Sequence, residues 1–127
     1  MEYLLDTHAL IWCLEADNQL SVTAQGIIND DNTDIYVSIV SLWEMAIKIS
    51  LGKLQLSQPL EQIINSLDQH NVTLLPVQTT HVLAVSNLSF EHRDPFDRLL
   101  IAQALVEGMK IITNEALFLR YGVERVW

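Results

Sequence analysis

Tyr3-Leu4-Leu5-Asp6-Thr7-His8-Ala9-Leu10-Ile11-Trp12-Cys13-Leu14 is the stretch that decides the fold. Tyr3–Leu5 is an apolar run of strand length, and an acid follows it at once. From about Thr7 the residues turn to an apolar, helix-like pattern. A strand that hands over to a helix within one or two residues opens a βα unit.

The same alternation runs along the rest of the chain. Further strands are expected at Ile35–Ser38, Thr73–Val77 and Lys110–Thr113, with a weaker one at Glu124–Val126. Helices are expected after Ser21, a favoured N-cap, and from Ser41 to Gly52, where glycine supplies the stop. Others follow Ser57, with Pro59 in the first turn, and Thr79 or Thr80. The next opens at Asp94-Pro95 and ends at Gly108. A short one covers Ala116–Tyr121 before Gly122. Strands alternating with helices require crossover connections, so the fold class is α/β, with a mostly parallel sheet of four to five strands sandwiched by helices. The 127 residues, half of them hydrophobic, suit a single domain over 1–127.

Several function classes fall away early. No apolar run approaches the roughly 18–20 residues of a membrane span. Met1-Glu2-Tyr3-Leu4-Leu5-Asp6 lacks the basic start of a signal peptide, so a cytoplasmic protein with no membrane partner is expected. Cys13 is the sole cysteine and is read as a small buried hydrophobe, which leaves no intrachain disulfide. Glycines are scattered singly, without a phosphate-binding loop, and Asp6-Thr7-His8-Ala9 lacks the paired aspartates of a phosphoaspartate phosphatase. His8, His70, His81 and His92 match no single-helix metal spacing and are assigned no catalytic role. Trp12, Trp43 and Trp127 are read as core or interface residues.

Sixteen acids face seven bases, for a net charge of −9, and residues 1–47 contain no Lys or Arg. Loose, charge-driven binding of nucleic acid is therefore disfavoured. In open α/β sheets chemistry gathers beyond the carboxyl ends of the strands. Asp6 directly follows the first strand. Glu44 is expected in the first turn of the helix after the second, and Asp97 in the first turn of the helix opened by Asp94-Pro95. Glu115 follows Lys110–Thr113 by two residues.

Each acid has a plainer reading. Asp6 can cap the helix after it, and Ser41-x-x-Glu44 fits a capping box. Asp94-Pro95-Phe96-Asp97 fits an ordinary helix start, with Asp94 more a cap than a ligand, and Glu115 can be a loop acid. None of these explains why all four fall on one sheet edge. Crowded carboxylates raise one another's pKa unless a cation intervenes, and all-oxygen ligation suits Mg²⁺ or Mn²⁺. Such a cation offsets substrate charge and acidifies water, which links the four acids to phosphodiester hydrolysis. Lys48, four residues after Glu44, and Arg93 and Arg98 beside Asp97 are candidate phosphate contacts, although an ion partner of Glu44 is the commoner role for a lysine placed as Lys48 is.

At Leu4–Trp12, Ser41–Lys48, Asp94–Ala104 and Thr113–Phe118 the chain resembles the PIN-domain family, most of all the toxin ribonucleases of bacterial VapBC-type toxin–antitoxin pairs. The resemblance spans essentially the whole chain. It implies a Rossmann-like sandwich and Mg²⁺- or Mn²⁺-dependent cleavage of RNA. It further implies an antitoxin partner and a homodimer formed through a helical face. Asp6, Glu44 and Asp97 fall on the family's metal-site acids, and Thr7 on a position that often carries a hydroxyl near the metal. The family's fourth acid is usually Asp, whereas this chain has Glu115. That departure keeps a second expectation open, a PIN module that acts through a protein partner with little or no catalysis. A nuclease acting on DNA is the third.

Overall fold

The computed structural model describes residues 1–127. β1 (Glu2–Leu5), β2 (Asp34–Ser38), β3 (Val72–Leu75), β4 (Lys110–Ile112) and β5 (Arg125–Val126) form one sheet in the order β3-β2-β1-β4-β5. Every pairing is parallel. The helices are α1 (Thr7–Leu14), α2 (Val22–Asn29), α3 (Ile39–Ser50), α4 (Leu60–Leu67), α5 (Thr79–Ser86) and α6 (Pro95–Glu107). From β1 the chain steps outward to β2 and β3. It then returns across β1 to lay down β4 and β5 on the other side. The two directions of travel part between β1 and β4, the switch point at which such sheets open a crevice.

Both faces of the sheet are covered, as an all-parallel sheet requires. Side chains alternate across a strand, so neighbours in sequence enter different cores. Tyr3, Leu5, Ile35, Val37 and Ile112 pack with Ala9, Leu10, Ala24, Leu42 and Met45 on one face. Leu4 and Ile111 pack with Val40, Leu100, Ile101, Ala104 and Phe118 on the other. Trp12 and Trp127 border the first core, 5.6 Å apart, and Cys13 is half-buried there as a free thiol. No helix is long and apolar enough to cross a membrane.

Element ends follow local chemistry. The Ser21 hydroxyl accepts from Ala24 N–H at 3.0 Å and starts α2. Gly108 takes φ 69° and ends α6 in the left-handed conformation that favours glycine. Several boundaries differ from expectation. α4 begins only at Leu60, with Pro59 at its N-cap and not in its first turn. β3 stops at Leu75 rather than Val77, because Pro76 has no N–H to continue the ladder. α5 is capped by Gln78, not by either threonine, in a reciprocal box with His81. The third helix begins at Ile39 rather than Ser41, because the Ser38 hydroxyl accepts from Val40 N–H at 3.0 Å and caps it early. Glu44 therefore lies in the second turn, and Ser41 is buried within the helix instead of capping it.

Candidate metal centre at the carboxyl edge of the sheet

Asp6 leaves β1 at the switch point and turns the chain into α1. One of its oxygens, Oδ1, accepts from Ala9 N–H at 2.7 Å, which makes it the N-cap. The other, Oδ2, accepts from the Thr113 hydroxyl at 2.5 Å. Thr113 directly follows β4, is fully buried, and also accepts from Glu115 N–H at 3.0 Å. A single hydroxyl thus ties the ends of β1 and β4 together. Each Asp6 oxygen retains a lone pair beyond these bonds. Burial pushes the Asp6 carboxyl above its ordinary value. The Thr113 and Ala9 donors and the charge of His8 oppose the rise, and Glu44 adds to it.

Glu44 comes from α3 and is 3% exposed. Its Oε2 pairs with Lys48 Nζ at 2.8 Å, one turn further on, while its Oε1 is buried without any partner. A buried carboxylate oxygen left bare is costly unless something outside the chain satisfies it. Asp97 stands in the first turn of α6, mostly buried. Its carboxyl is pushed up to about 8, chiefly by burial and then by the charges of Asp94, Asp6, Glu44 and Glu115. Asp6, Glu44, Glu115 and Asp94 thus all bear on the Asp97 carboxyl.

Their positions are unequal. Asp6, Glu44 and Asp97 lie in the interior of the edge, whereas Glu115 is an exposed residue at the rim. Its Oε1 accepts from Leu117 N–H at 3.5 Å, at the start of the 3₁₀ turn Ala116–Tyr121. Asp94 is a cap: its Oδ1 accepts from Phe96 N–H at 2.8 Å and Asp97 N–H at 3.3 Å.

The donor set suits a hard divalent cation. It offers oxygen only, it has one bare buried oxygen, and its carboxylates repel in the absence of a positive charge. No three side chains form a finished protein cage. That accords with Mg²⁺, which keeps several waters and takes only one or two carboxylates directly.

Two of the expected site residues, Thr7 and Arg98, are engaged by partners within the fold. Thr7 is 1% exposed, and its hydroxyl donates to Ser41 Oγ at 3.0 Å. It fastens α1 to α3 between Asp6 and Glu44 and is closed to substrate, because its side chain enters the packed helix junction. Arg98 is buried, with Nη1 donating to Ser89 O at 2.8 Å and His92 O at 3.2 Å and the guanidinium 4.8 Å from the Phe90 ring centroid. It secures the loop between α5 and α6 rather than reaching a phosphate. Arg93 is exposed and makes no ion pair.

Three contributors were not visible as site residues in the sequence: Thr113, Ser41 and Gln103. The Gln103 amide, fully buried on α6, accepts from the Ser38 hydroxyl at 2.6 Å and donates to Pro76 O at 3.2 Å. It thereby fixes the cap of α3 against α6, the two helices that carry Glu44 and Asp97. Only the position of Gln103 on the α6 face turned to the core, among Leu100, Ile101 and Ala104, could have drawn attention to it.

The PIN-domain family model matches residues 3–124. A ribonuclease of Mycobacterium tuberculosis, VapC22, is 28% identical over 112 residues, covering 88% of this chain and 85% of its own length. The structure of VapBC2 from Rickettsia felis bound to a promoter DNA fragment superposes with a TM-score of 0.71 at 19% identity, over 99% of this chain and 98% of that one. VapBC-1 from nontypeable Haemophilus influenzae gives 0.69 at 19% identity, over 99% and 97%. FitAcB from Neisseria gonorrhoeae gives 0.66 at 15% identity, over 98% and 96%. With its parallel five-stranded sheet, its acids at the switch point and a family match across nearly its whole length, the chain belongs to the PIN-domain family.

Proposed function

We propose that this protein is a metal-dependent endoribonuclease and the toxin of a VapBC-type toxin–antitoxin pair, working in the cytoplasm. The observation that carries the catalytic part is the bare, buried Oε1 of Glu44 beside Asp97, whose carboxyl is pushed up to about 8 by burial and, after it, by the charges of the neighbouring acids. The match to a curated VapC ribonuclease supports the choice of RNA, and structural kinship with VapBC and FitAcB supports an antitoxin partner. A net charge of −9 suits a basic antitoxin segment.

Asp6, Glu44 and Asp97 would hold one Mg²⁺ or Mn²⁺, in part through the ion's waters, with Glu115 assisting from the rim. Bound there, the ion would supply charge neutralisation at the scissile phosphate and an acidified water suited to hydrolysis that leaves 3′-hydroxyl and 5′-phosphate ends. Thr113 and Ala9 N–H fix the Asp6 carboxylate so that its remaining lone pairs face the edge of the sheet. Lys48 holds Glu44 Oε2 and leaves Oε1 for the ion. Arg93, unpaired and exposed, is the best placed of the bases to meet a flanking phosphate.

A homodimer belongs to the same proposal. Ile39 and Trp43 on α3 and Val82 and Leu83 on α5 are exposed, and Trp43 packs edge-on against Phe96 at 5.1 Å. The inactive-module reading draws on Glu115 alone, which replaces the usual Asp and lies at the rim.

The test is cleavage of a panel of structured RNAs, and of the matching DNA, with EDTA, Mg²⁺ or Mn²⁺, beside Asp97→Asn. Metal-dependent cleavage of RNA that the substitution abolishes is the expected result. Equal cleavage by Asp97→Asn would sink the assignment, and Mn²⁺ binding without cleavage of any RNA would favour the module.

A further inference from the structure

One histidine touches the acid cluster. His92 Nε2 lies 2.9 Å from Asp97 Oδ2. This nitrogen is buried and meets no better partner, yet it falls short of hydrogen-bond alignment with the carboxylate. The other ring nitrogen fixes the tautomer. His92 Nδ1 accepts from Asp94 N–H at 3.2 Å, so the proton of this neutral ring sits on Nε2, toward Asp97.

The loop around His92 is held by two side chains, Tyr121 and Arg98. The Tyr121 hydroxyl oxygen accepts from Glu91 N–H at 3.0 Å and from His92 N–H at 2.7 Å. Arg98 Nη1, which also donates to the Tyr121 hydroxyl at 3.4 Å, donates to Ser89 O and His92 O. The imidazole itself meets the Phe118 ring edge-on at 5.9 Å. Exposed loops without secondary structure are rarely fixed at so many points. Here the fixed points converge on the placement of a single ring.

We infer that His92 is the positioning residue of Asp97. Its Nε2–H completes a hydrogen bond to Oδ2 when the carboxylate turns toward a cation, which leaves Oδ1 free for the ion. This rests on the reading of Asp97 as a metal-site acid. A neutral N–H donor orients a carboxylate without cancelling its charge, so it does not compete with the ion as an ammonium does. Arg98 and Tyr121 serve the site indirectly, by fixing the loop that carries the ring. Partners of this kind typically change metal affinity or activity by about 10- to 100-fold when removed.

The experiment is calorimetric titration with Mn²⁺, paired with kcat and KM on a cleavable RNA, for the native chain, His92→Leu, His92→Gln and Tyr121→Phe. His92→Leu should weaken Mn²⁺ binding about tenfold and lower kcat while KM for RNA stays put. His92→Gln, whose amide N–H reaches the same place, should recover most of both losses. Tyr121→Phe frees the loop but keeps the ring, and should weaken Mn²⁺ binding by a smaller factor, about threefold. Native-like Mn²⁺ binding by His92→Leu, or equal loss in His92→Leu and His92→Gln, overturns the inference. Native-like binding by Tyr121→Phe overturns it as well, should His92→Leu fail to fold. A native chain that binds no Mn²⁺ overturns the reading of the metal centre itself, and this inference with it.

Discussion

Acids gather at both ends of the sheet, and the two groups differ in everything but charge. At the amino edge, Asp30, Asp31 and Asp34 are exposed, and Asp34 meets only the terminal ammonium of Met1 at 4.0 Å. At the carboxyl edge, Asp6 and Glu44 are 5% and 3% exposed, one capped and bonded by Thr113, the other left with a bare oxygen. Water screens the first group, so its repulsion costs little. Burial concentrates the repulsion in the second, where a proton held on Asp97 or a bound cation relieves it. Charge alone therefore does not make a site. The distinction lies in where the sheet reverses its winding and which acids the helices cover.

The contrast can be broken most sharply by exchanging its terms. Asp6→Asn should lower RNA cleavage by about 10²–10³-fold, the order expected when a group that stabilises transition-state charge is lost. Asp31→Asn should change the rate less than twofold, an order set by its surface position. Comparable losses in both would erase the distinction.

Asp97 sharpens it through pH. When unfolded, its carboxyl titrates near the ordinary value of 3.8, and in the folded chain near 8. Between those values the folded state holds the extra proton, so stability in EDTA should fall as pH rises through this window. Asp6 is shifted in the same direction and adds to the trend. The thermal midpoint in EDTA should drop on the order of 5 °C or more from pH 5 to pH 8. Asp97→Asn should flatten that slope, and Mn²⁺ should raise the midpoint more at pH 8 than at pH 5. A midpoint that climbs with pH in EDTA would contradict the burial of these charges.

Thr113→Val tests the strap between β1 and β4. It removes the hydroxyl that serves both Asp6 and Glu115, and denaturant unfolding should show a loss of about 1–3 kcal/mol. The smallest effect is expected at the amino edge, where Asp34→Asn should shift stability by less than about 0.5 kcal/mol despite its ion pair with the N-terminus.

Much of this was legible in the sequence. The strand-to-helix switch after Leu5 and the Asp94-Pro95 start with its Gly108 stop identify β1, α1 and α6 from local chemistry alone. Asp6, Glu44, Asp97 and Glu115 could be placed on one edge because strand ends share an edge in a parallel sheet. Elsewhere local pattern failed for definable reasons. Ser38 and Ser41 are both plausible caps, and only the ending of β2 decides between them. Thr113 lies 107 positions from Asp6, so their bond follows from the β1–β4 pairing and not from any spacing. Arg98 resembled a phosphate contact because it adjoins Asp97, yet on a helix adjacent residues face different ways, and its side chain turns to the α5–α6 loop. His92 was set aside because no helical metal spacing includes it, and its ring meets Asp97 only through the fold of a loop.

The measurement that bears most directly on the carboxyl edge as a cation site is calorimetric titration with Mn²⁺ of the native chain, Asp97→Asn and Asp30→Asn. Binding heat in the native chain and Asp30→Asn, and none in Asp97→Asn, is the predicted result. Undiminished heat in Asp97→Asn, or its loss in Asp30→Asn, would contradict the account.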